Sequence, residues 1–192
     1  MLEFGATYIR FYKDGGILTE ATTNITAITK ANPGVLTSNS HGYSNGDEIF
    51  LSNTGAMTEL TSRNYLVANV TTNTFTLTDL FGTAINTTGF STFDSGVTTS
   101  KIFEVTTPYS TSDLPNLRFA QSADTMFLVH PSHAIRTLTR TDHNAWSLST
   151  ATISGAPSPN LNNSSDNYPS VVTFFEQRLV FGATNNNPQT LF

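Results

Sequence analysis

The fold of this chain is decided by its C-terminal stretch, Tyr168-Pro-Ser-Val-Val-Thr-Phe-Phe-Glu-Gln-Arg-Leu-Val-Phe-Gly-Ala-Thr-Asn-Asn-Asn-Pro-Gln-Thr-Leu-Phe192. The pattern predicts one long strand from Val171 to Phe181, a polar Asn-Pro turn and the start of a second strand. Successive side chains of a strand point to opposite faces, so both faces of this strand would carry aromatic rings. We therefore expect a strand that is covered on both sides. Because the second strand stops almost at once, we also expect the chain to be the N-terminal part of a larger protein.

The composition predicts many strands and few helices. Charged residues make up 12% of the 192 residues, about half the usual fraction of roughly 25%, and threonine, serine and asparagine take their place. Threonine favours strands, whereas asparagine and serine favour turns. A hydrophobic content of 38% and an aromatic content of 11% argue against a disordered chain. We expect an all-β fold of antiparallel, propeller-like or sandwich-like sheets.

Charge and cysteine content exclude several classes of protein. The net charge of −5 and the pI near 5.2 exclude a broad basic surface that would hold nucleic acid by counterion release. The chain has no cysteine, which excludes disulfides and thiolate metal sites. No apolar run approaches the roughly 20 residues needed to span a bilayer, and the N-terminus lacks the pattern of a signal peptide. We expect no membrane anchor.

The N-terminal residues predict a hairpin. Residues Leu2 to Tyr12 alternate as one strand, Lys13-Asp-Gly-Gly16 tolerates the positive φ of a tight turn, and Ile17 to Glu20 begins the return strand. Further along, a three-strand meander is predicted over Thr125–His130, Ile135–Arg140 and Ala145–Ser149. Residues 155–167 form a polar segment that we expect to be an exposed loop.

The middle of the chain, residues 21–100, predicts a separate domain. Threonine, serine, asparagine and glycine dominate it, and its short strands include Asp47–Leu51 and a hairpin of Asn64–Val70 with Phe75–Thr78. Regularly spaced short strands favour a small barrel. We expect residues 21–100 to be inserted into a second domain made of 1–20 and 101–192, with the ends of the insert close together.

Histidines and acidic residues were weighed as catalytic or metal-binding groups. His130 and His133 are close in sequence, but metal pairs usually lie at i and i+4 on a helix or come with further ligands, and Pro131 forbids a helix. We interpret both as turn residues. Asp142-His143 lacks a nucleophile elbow, so the Asp142 side chain is expected to accept backbone hydrogen bonds in a turn.

No pair of carboxylates suited to glycoside hydrolysis is predicted. Asp47 and Glu48 are adjacent on a strand and therefore point to opposite faces. The remaining acidic candidates are isolated in the sequence: Asp94, Asp113 and Asp124. We expect no catalytic residue, no cofactor-binding residue and no metal site.

Two further groups of side chains are interpreted as structural. Glu176 and Arg178 would share one face of the predicted long strand and could form an ion pair there. Trp146, near Arg136 and Arg140, could stack on a sugar or a base, but core filling is the favoured role. Matches to the glycosylation pattern, among them Asn24, Asn69 and Asn86, are ascribed to chance in a chain rich in asparagine and threonine.

Several segments in order resemble the tail tubular protein B, or nozzle, family of short-tailed bacteriophages. They are Leu2-Glu-Phe-Gly5, Tyr8-Ile-Arg-Phe-Tyr12, the Asp14-Gly-Gly16 turn, Leu117-Arg-Phe-Ala-Gln-Ser-Ala-Asp124, Phe127-Leu-Val-His-Pro131 and the C-terminal stretch. The resemblance covers about 1–20 and 101–192. Within 21–100, three segments resemble the first catalytic-cysteine half-domain of ubiquitin-activating enzymes, which implies a small β-barrel and no activating chemistry: Gly46-Asp-Glu-Ile-Phe-Leu51, Gly55-Ala-Met57 and Asn73-Thr-Phe-Thr-Leu77.

The nozzle resemblance implies a structural role rather than an enzyme. It implies a virion protein, assembled in the host cytoplasm, that forms a six-fold ring with copies of itself and contacts tail adaptor and tail fibre proteins. Genomic DNA would pass through the ring without sequence-specific binding. The alternative is a module of a tail or host-recognition protein that binds carbohydrate or another protein.

Overall fold

The computed structural model describes residues 1–53, 55–153 and 167–192, and they form an all-β chain in which every described strand pair is antiparallel. The fold class expected from the composition is confirmed. The helical content of the described residues consists of two short 3₁₀ turns, Thr58–Leu60 and Leu114–Asn116. The strands are β1 (Leu2–Gly5), β2 (Tyr8–Lys13), β3 (Gly16–Ile17), β4 (Thr23–Asn24), β5 (Ala27–Ile28), β6 (Val35–Thr37), β7 (Glu48–Asn53), β8 (Arg63–Ala68), β9 (Thr74–Thr78), β10 (Val97–Lys101), β11 (Glu104–Thr106), β12 (Arg118–Ser122), β13 (Thr125–His130), β14 (His133–Asp142), β15 (Ala145–Thr150), β16 (Pro169–Phe175) and β17 (Arg178–Thr184).

The chain divides into two compact units. The outer unit consists of Met1–Gly16 and Glu104–Phe192, and the inserted unit is Ile17–Phe103. Residues 17–20 and 101–103, which the sequence analysis assigned to the outer domain, therefore lie in the inserted unit. The reason is local pairing: Thr19 forms a β-bridge with Ile102, and the Phe103 N–H donates to the Leu18 carbonyl.

The inserted unit contains one strongly curved seven-stranded sheet. Its strand order is β4-β10-β7-β8-β9-β6-β5. The two edge strands, β4 and β5, belong to one continuous segment: the Ile25 N–H donates to the Val97 carbonyl at one edge, and the Thr26 N–H donates to the Thr37 carbonyl at the other. A single segment thus joins both edges of the sheet, as in a small barrel.

Aromatic and aliphatic side chains fill the interior of this curved sheet. Phe75 is fully buried, and its ring meets the rings of His41 and Tyr43 edge-on at centroid distances of 4.9 and 5.4 Å. The Tyr43 hydroxyl lies 2.8 Å from the Thr99 hydroxyl, so its polar end is satisfied inside the core. The aliphatic members of the core are Ile25, Ile28, Leu36, Ile49, Leu51, Leu60, Val67, Leu77 and Val97.

The N-terminal strand predicted over Leu2–Tyr12 is wrong, because the chain turns at Ala6 and Thr7. β1 and β2 pair as a hairpin in which Gly5 lies opposite Tyr8. Thr7 has a φ of 68°, and a Cβ on Gly5 would approach the Tyr8 ring to 2.1 Å. β11 pairs with the other side of β2. The predicted turn at Asp14 and Gly15 is present and leads into β3.

The predicted meander is confirmed and gains a fourth strand. β12, β13, β14 and β15 form one antiparallel sheet in sequence order, the arrangement of a propeller blade. Trp146 of β15 packs on Phe11 with 4.5 Å between ring centroids, and its indole N–H donates to the His143 carbonyl. The half-buried Trp146 side chain thus packs against β2 within the outer unit. Of the polar loop predicted for 155–167, all but Asn167 lies outside the described residues, and Asn167 is buried rather than exposed.

The long C-terminal strand predicted over Val171–Phe181 is also wrong. It is a hairpin of β16 and β17, in which Phe175 pairs with Arg178. Glu176 and Gln177 form the turn with φ values of 45° and 64°, the signs that a type I′ hairpin turn requires at both central positions. Glu176 therefore lies in the turn and does not share a strand face with Arg178. The second strand predicted near the C-terminus is reduced to a bridge of Leu191 with Gly182.

Candidate functional site

Two histidines and an aspartate of the outer unit meet at one end of the β12–β15 sheet. His130 ends β13 and His133 begins β14, so the Pro131-Ser132 turn leaves them paired with ring centroids 5.0 Å apart. Asp113 arrives from the turn before Leu114–Asn116. One ligand atom from each of the three residues lies within 4.8 Å of the others. Asp113 therefore gives the two histidines a third potential ligand, which their spacing in the sequence does not show.

The Asp113 carboxylate is held firmly on one side. Its Oδ2 accepts hydrogen bonds from the Ser110 N–H at 2.8 Å and the Ser110 hydroxyl at 2.7 Å, and it lies 3.0 Å from His133 Nε2. These bonds, the Ser110 hydroxyl foremost, hold the pKa of Asp113 well below its usual range. Asp113 therefore stays ionised. Its other oxygen, Oδ1, lies 3.7 Å from His130 Nε2.

His130 is almost fully buried, at 3% exposure, and only one of its two ring nitrogens forms a hydrogen bond within the described residues. Its Nδ1 accepts a hydrogen bond from the Ser132 N–H at 3.0 Å. Its Nε2 forms no hydrogen bond of normal geometry within the described residues. Burial first, and the neighbouring His133 second, lower the pKa of His130, while the Asp113 carboxylate and carbonyl act in the opposite direction. A neutral ring with Nδ1 as acceptor carries its proton on Nε2.

Tyr109 covers the two rings. Its ring meets the His133 ring edge-on at 5.2 Å and lies 6.3 Å from the His130 ring. Burial raises the pKa of Tyr109 to about 12, so the phenol stays neutral. The positive charge of Arg136 acts on the same phenol in the opposite direction. The cluster is thus a partly enclosed polar site with one fixed negative charge.

Each of the other acidic candidates has its own hydrogen-bond or ion-pair partner. Asp47 forms an ion pair with Lys101 at 2.9 Å, whereas Glu48 accepts a hydrogen bond from the Asn64 side chain. Asp94 accepts the Ala56 N–H, and Asp124 lies 3.8 Å from Arg140. These contacts give each of the four carboxylates a structural interaction of its own. Asp142 accepts the His143 N–H, as predicted for a turn.

The β16–β17 hairpin presents an open apolar face. Its covered face carries Val172, Leu179 and Phe181, which pack in a cluster around Val129 and Ile135. Its other face exposes Val171 and Phe175, at 46% and 64%, beside Leu191 at 74%. Val171 and Leu191 flank Gly182, where an added Cβ would contact both side chains. Exposed apolar residues on one face of a hairpin, here with Thr173 between Val171 and Phe175, are typical of an interaction surface.

A second exposed apolar pair lies on the inserted unit. Leu80 and Phe81 occupy the turn from Asp79 to Gly82, and Phe81 is 96% exposed. The Asp79 carboxylate accepts the Phe81 and Thr83 N–H groups and shapes the turn. Those bonds hold the pKa of Asp79 below its usual range. The sequence analysis missed both this tip and the hairpin face, because neither alternation nor composition shows which apolar side chains stay uncovered.

Comparisons with known proteins leave the family of this chain open. No family model matches it, and no curated protein does. Among solved structures, phage phi92 endosialidase is similar at 17% identity and a TM-score of 0.31, over 95% of this chain. The chain spans 32% of the length of that structure. The resemblance to nozzle proteins therefore stays a prediction. Within the described residues, no helix is long and apolar enough to cross a membrane.

Proposed function

We propose that this chain is a structural component of a bacteriophage tail, a nozzle or tail-tube subunit that assembles with copies of itself around the path of DNA ejection. In this role it belongs to the virion, contacts tail adaptor and tail fibre proteins, and has no enzymatic activity. The observation that carries the proposal is the open apolar face of the β16–β17 hairpin. The sequence resemblance to nozzle proteins supports the same role.

The open face has the chemistry of an assembly surface. Val171, Phe175 and Leu191 are large side chains left in water on a regular β-surface. Full burial of one such side chain contributes about 1.5–3 kcal/mol, so three of them provide a substantial anchor for a neighbouring subunit. Interfaces are built around a few buried anchors of this kind.

The charge of the chain suits a wall along which DNA slides. The net charge of −5 opposes tight phosphate contacts, which would otherwise slow passage of the duplex. Of the described basic side chains, Arg10 is already paired with Glu104 and Lys101 with Asp47. This balance supports a conduit better than it supports a sequence-specific DNA-binding protein.

The test is assembly of the purified chain, alone and with its adaptor protein. Sedimentation velocity over roughly 1–100 µM and negative-stain electron microscopy should show rings or discrete oligomers. F175D should abolish them, because it places a charge on the open face. F81D is the matched control, the same change at a phenylalanine of the inserted unit that is even more exposed, and it should leave assembly intact. A chain that stays monomeric with and without the adaptor would contradict the proposal.

The exposed tip at Leu80 and Phe81 favours a second candidate, a module that binds carbohydrate or another protein. An aromatic ring that is 96% exposed at the end of a rigid turn is available to stack on a sugar or to enter a partner's pocket. Glycan-array binding that is lost in F81A and kept in F175A would favour this candidate. Binding that is absent, or equal in both variants, would leave the tail-assembly role as the better proposal.

A further inference from the structure

Asp113 Oδ1 and the buried Nε2 of His130 lie opposite each other at one end of the β12–β15 sheet. Asp113 Oδ2 is saturated by Ser110 and His133, whereas Oδ1 faces His130 Nε2 across 3.7 Å. That distance is too long for a hydrogen bond. It exceeds by only a few tenths of an ångström the separation of roughly 3.3–3.4 Å between two ligands of one tetrahedral zinc ion with metal–ligand bonds of about 2.0–2.1 Å.

We propose that Asp113 Oδ1, His130 Nε2 and His133 Nε2 form a binding site for a divalent transition-metal ion of the Zn²⁺ class. Two imidazole nitrogens and one carboxylate suit Zn²⁺, Co²⁺ or Ni²⁺, and they suit Mg²⁺ or Ca²⁺ poorly because those ions prefer oxygen ligands. Within the part of the chain that the structure describes, the buried Nε2 of His130 has no hydrogen-bond partner of normal geometry, and it lies 3.7 Å from Asp113 Oδ1. This is the independent sign of a missing ligand.

The surroundings supply two further properties of a metal site. Ser110 holds the Asp113 carboxylate from behind through two hydrogen bonds, the kind of outer-shell support that orients metal ligands. The Asp113 and His133 side chains are 19% and 23% exposed, so an ion has a route in and solvent can complete its coordination. The site would then tie the turn at Asp113 to the β13–β14 turn.

Metal binding would also break hydrogen bonds that the structure contains. In the metal-free ring of His130, Nδ1 accepts the Ser132 N–H, so the proton lies on Nε2. Coordination through Nε2 moves that proton to Nδ1 and breaks the bond to Ser132. The Nε2 proton of His133, which faces Asp113, must also be displaced. The charge of Arg136, close enough to act on Tyr109, opposes a cation as well. We therefore expect weaker binding than in dedicated structural zinc sites.

The experiment is a titration of the full chain, without a histidine tag, with ZnCl₂ and separately with MgCl₂. Isothermal calorimetry should show one Zn²⁺ per chain, and Zn²⁺ should raise the melting temperature. H133Q removes a partly exposed ligand without emptying the core, and it should weaken binding at least ten-fold. H143Q is the control, since His143 lies in the β14–β15 turn and donates no ligand to the cluster; it should bind like the parent chain.

Nitrogen-15 NMR of the histidine rings distinguishes metal coordination from a purely structural role of these residues. Zn²⁺ should shift the His130 proton from Nε2 to Nδ1. The proposal is overturned by any of four results: no saturable Zn²⁺ binding, equal binding in H133Q, equal loss in H143Q, or Mg²⁺ binding as tight as Zn²⁺. Because none of these measurements depends on oligomer formation, the metal site and the assembly role can fail separately.

Discussion

Replacing Phe75 by alanine tests the core of the inserted unit. Phe75 lies in β9, has no exposed surface, and meets the rings of His41 and Tyr43 at 4.9 and 5.4 Å. Alanine leaves a cavity of most of a phenyl ring and removes both edge-on contacts. Phe75 lies on an interior strand in the close-packed core of the curved sheet, so little relaxation is available to fill the space.

The expected loss follows from burial. A fully buried Phe→Ala change costs about 3–5 kcal/mol, and the two aromatic contacts, worth about 0.5–1.5 kcal/mol each, favour the upper half of that range. We expect F75A to lower the free energy of unfolding of the inserted unit by about 4 kcal/mol. Since domains are stable by only about 5–15 kcal/mol, F75A should leave the inserted unit marginally folded.

Hydrogen exchange with mass spectrometry measures this effect within the whole chain. Fluorescence of Trp146, the single tryptophan, reports on the outer unit and would miss it. In F75A, peptides from Arg63–Ala68 and Thr74–Thr78 should exchange up to about 10³-fold faster. Peptides from β13 and β14 should be unchanged. F81A is the matched control, and its effect should stay within about 0.5 kcal/mol because the Phe81 ring is in water.

Two results would refute the reasoning. One is a loss below about 1 kcal/mol in F75A, which would mean that the ring is not in a close-packed interior. The other is a loss of unfolding free energy in F81A equal to that in F75A, which would mean that the Phe81 ring is also buried in the folded protein.

Three shorter predictions concern the turn, the pH dependence and the inserted unit. Changing Glu176 to Asn together with Gln177 to Gly should stabilise the outer unit by about 1 kcal/mol, because both positions have positive φ; an unchanged or lower urea midpoint would contradict that turn. The Ala56 N–H, and after it the Ser95 N–H, lower the pKa of Asp94. Asp94 therefore contributes stability above the unfolded pKa of about 4, and this stability is lost as pH falls through the folded pKa. The urea midpoint of D94N should fall less between about pH 6 and pH 3 than that of the parent chain. An equal fall in both proteins would count against this prediction. A fragment of residues 17–103 should give a dispersed NMR spectrum on its own, and a collapsed spectrum would contradict its independence.

The local sequence pattern was enough to predict the strands that show clear alternation and short polar connections. The β8–β9 hairpin and the β13–β15 meander follow from alternation of apolar and polar side chains and from short polar connections. The all-β class follows from threonine, asparagine and low charge. Each of these depends on interactions between residues near each other in the chain, and sequence records such neighbours directly.

Two strand predictions failed for one shared reason. Thr7, Glu176 and Gln177 turn the chain with positive φ although none of them is glycine or asparagine. An L-residue enters this region only when the surrounding pairs over-determine it. The pairing of β1 with β2, and of β16 with β17, supplies that constraint. Strand-forming residues on both sides of each turn therefore predicted one continuous strand where the folded chain reverses.

The candidate metal site and the candidate assembly surface were decided by tertiary structure. His130 and His133 could be paired from their two-residue turn, but Asp113 joins them from a separate turn, at 20 residues' distance from His133. The open face of the hairpin exists because packing covers Phe181 and leaves Phe175 in water. Alternation along a strand tells which side chains share a face. Which face stays uncovered depends on what packs against it, and that is set by contacts between segments distant in sequence.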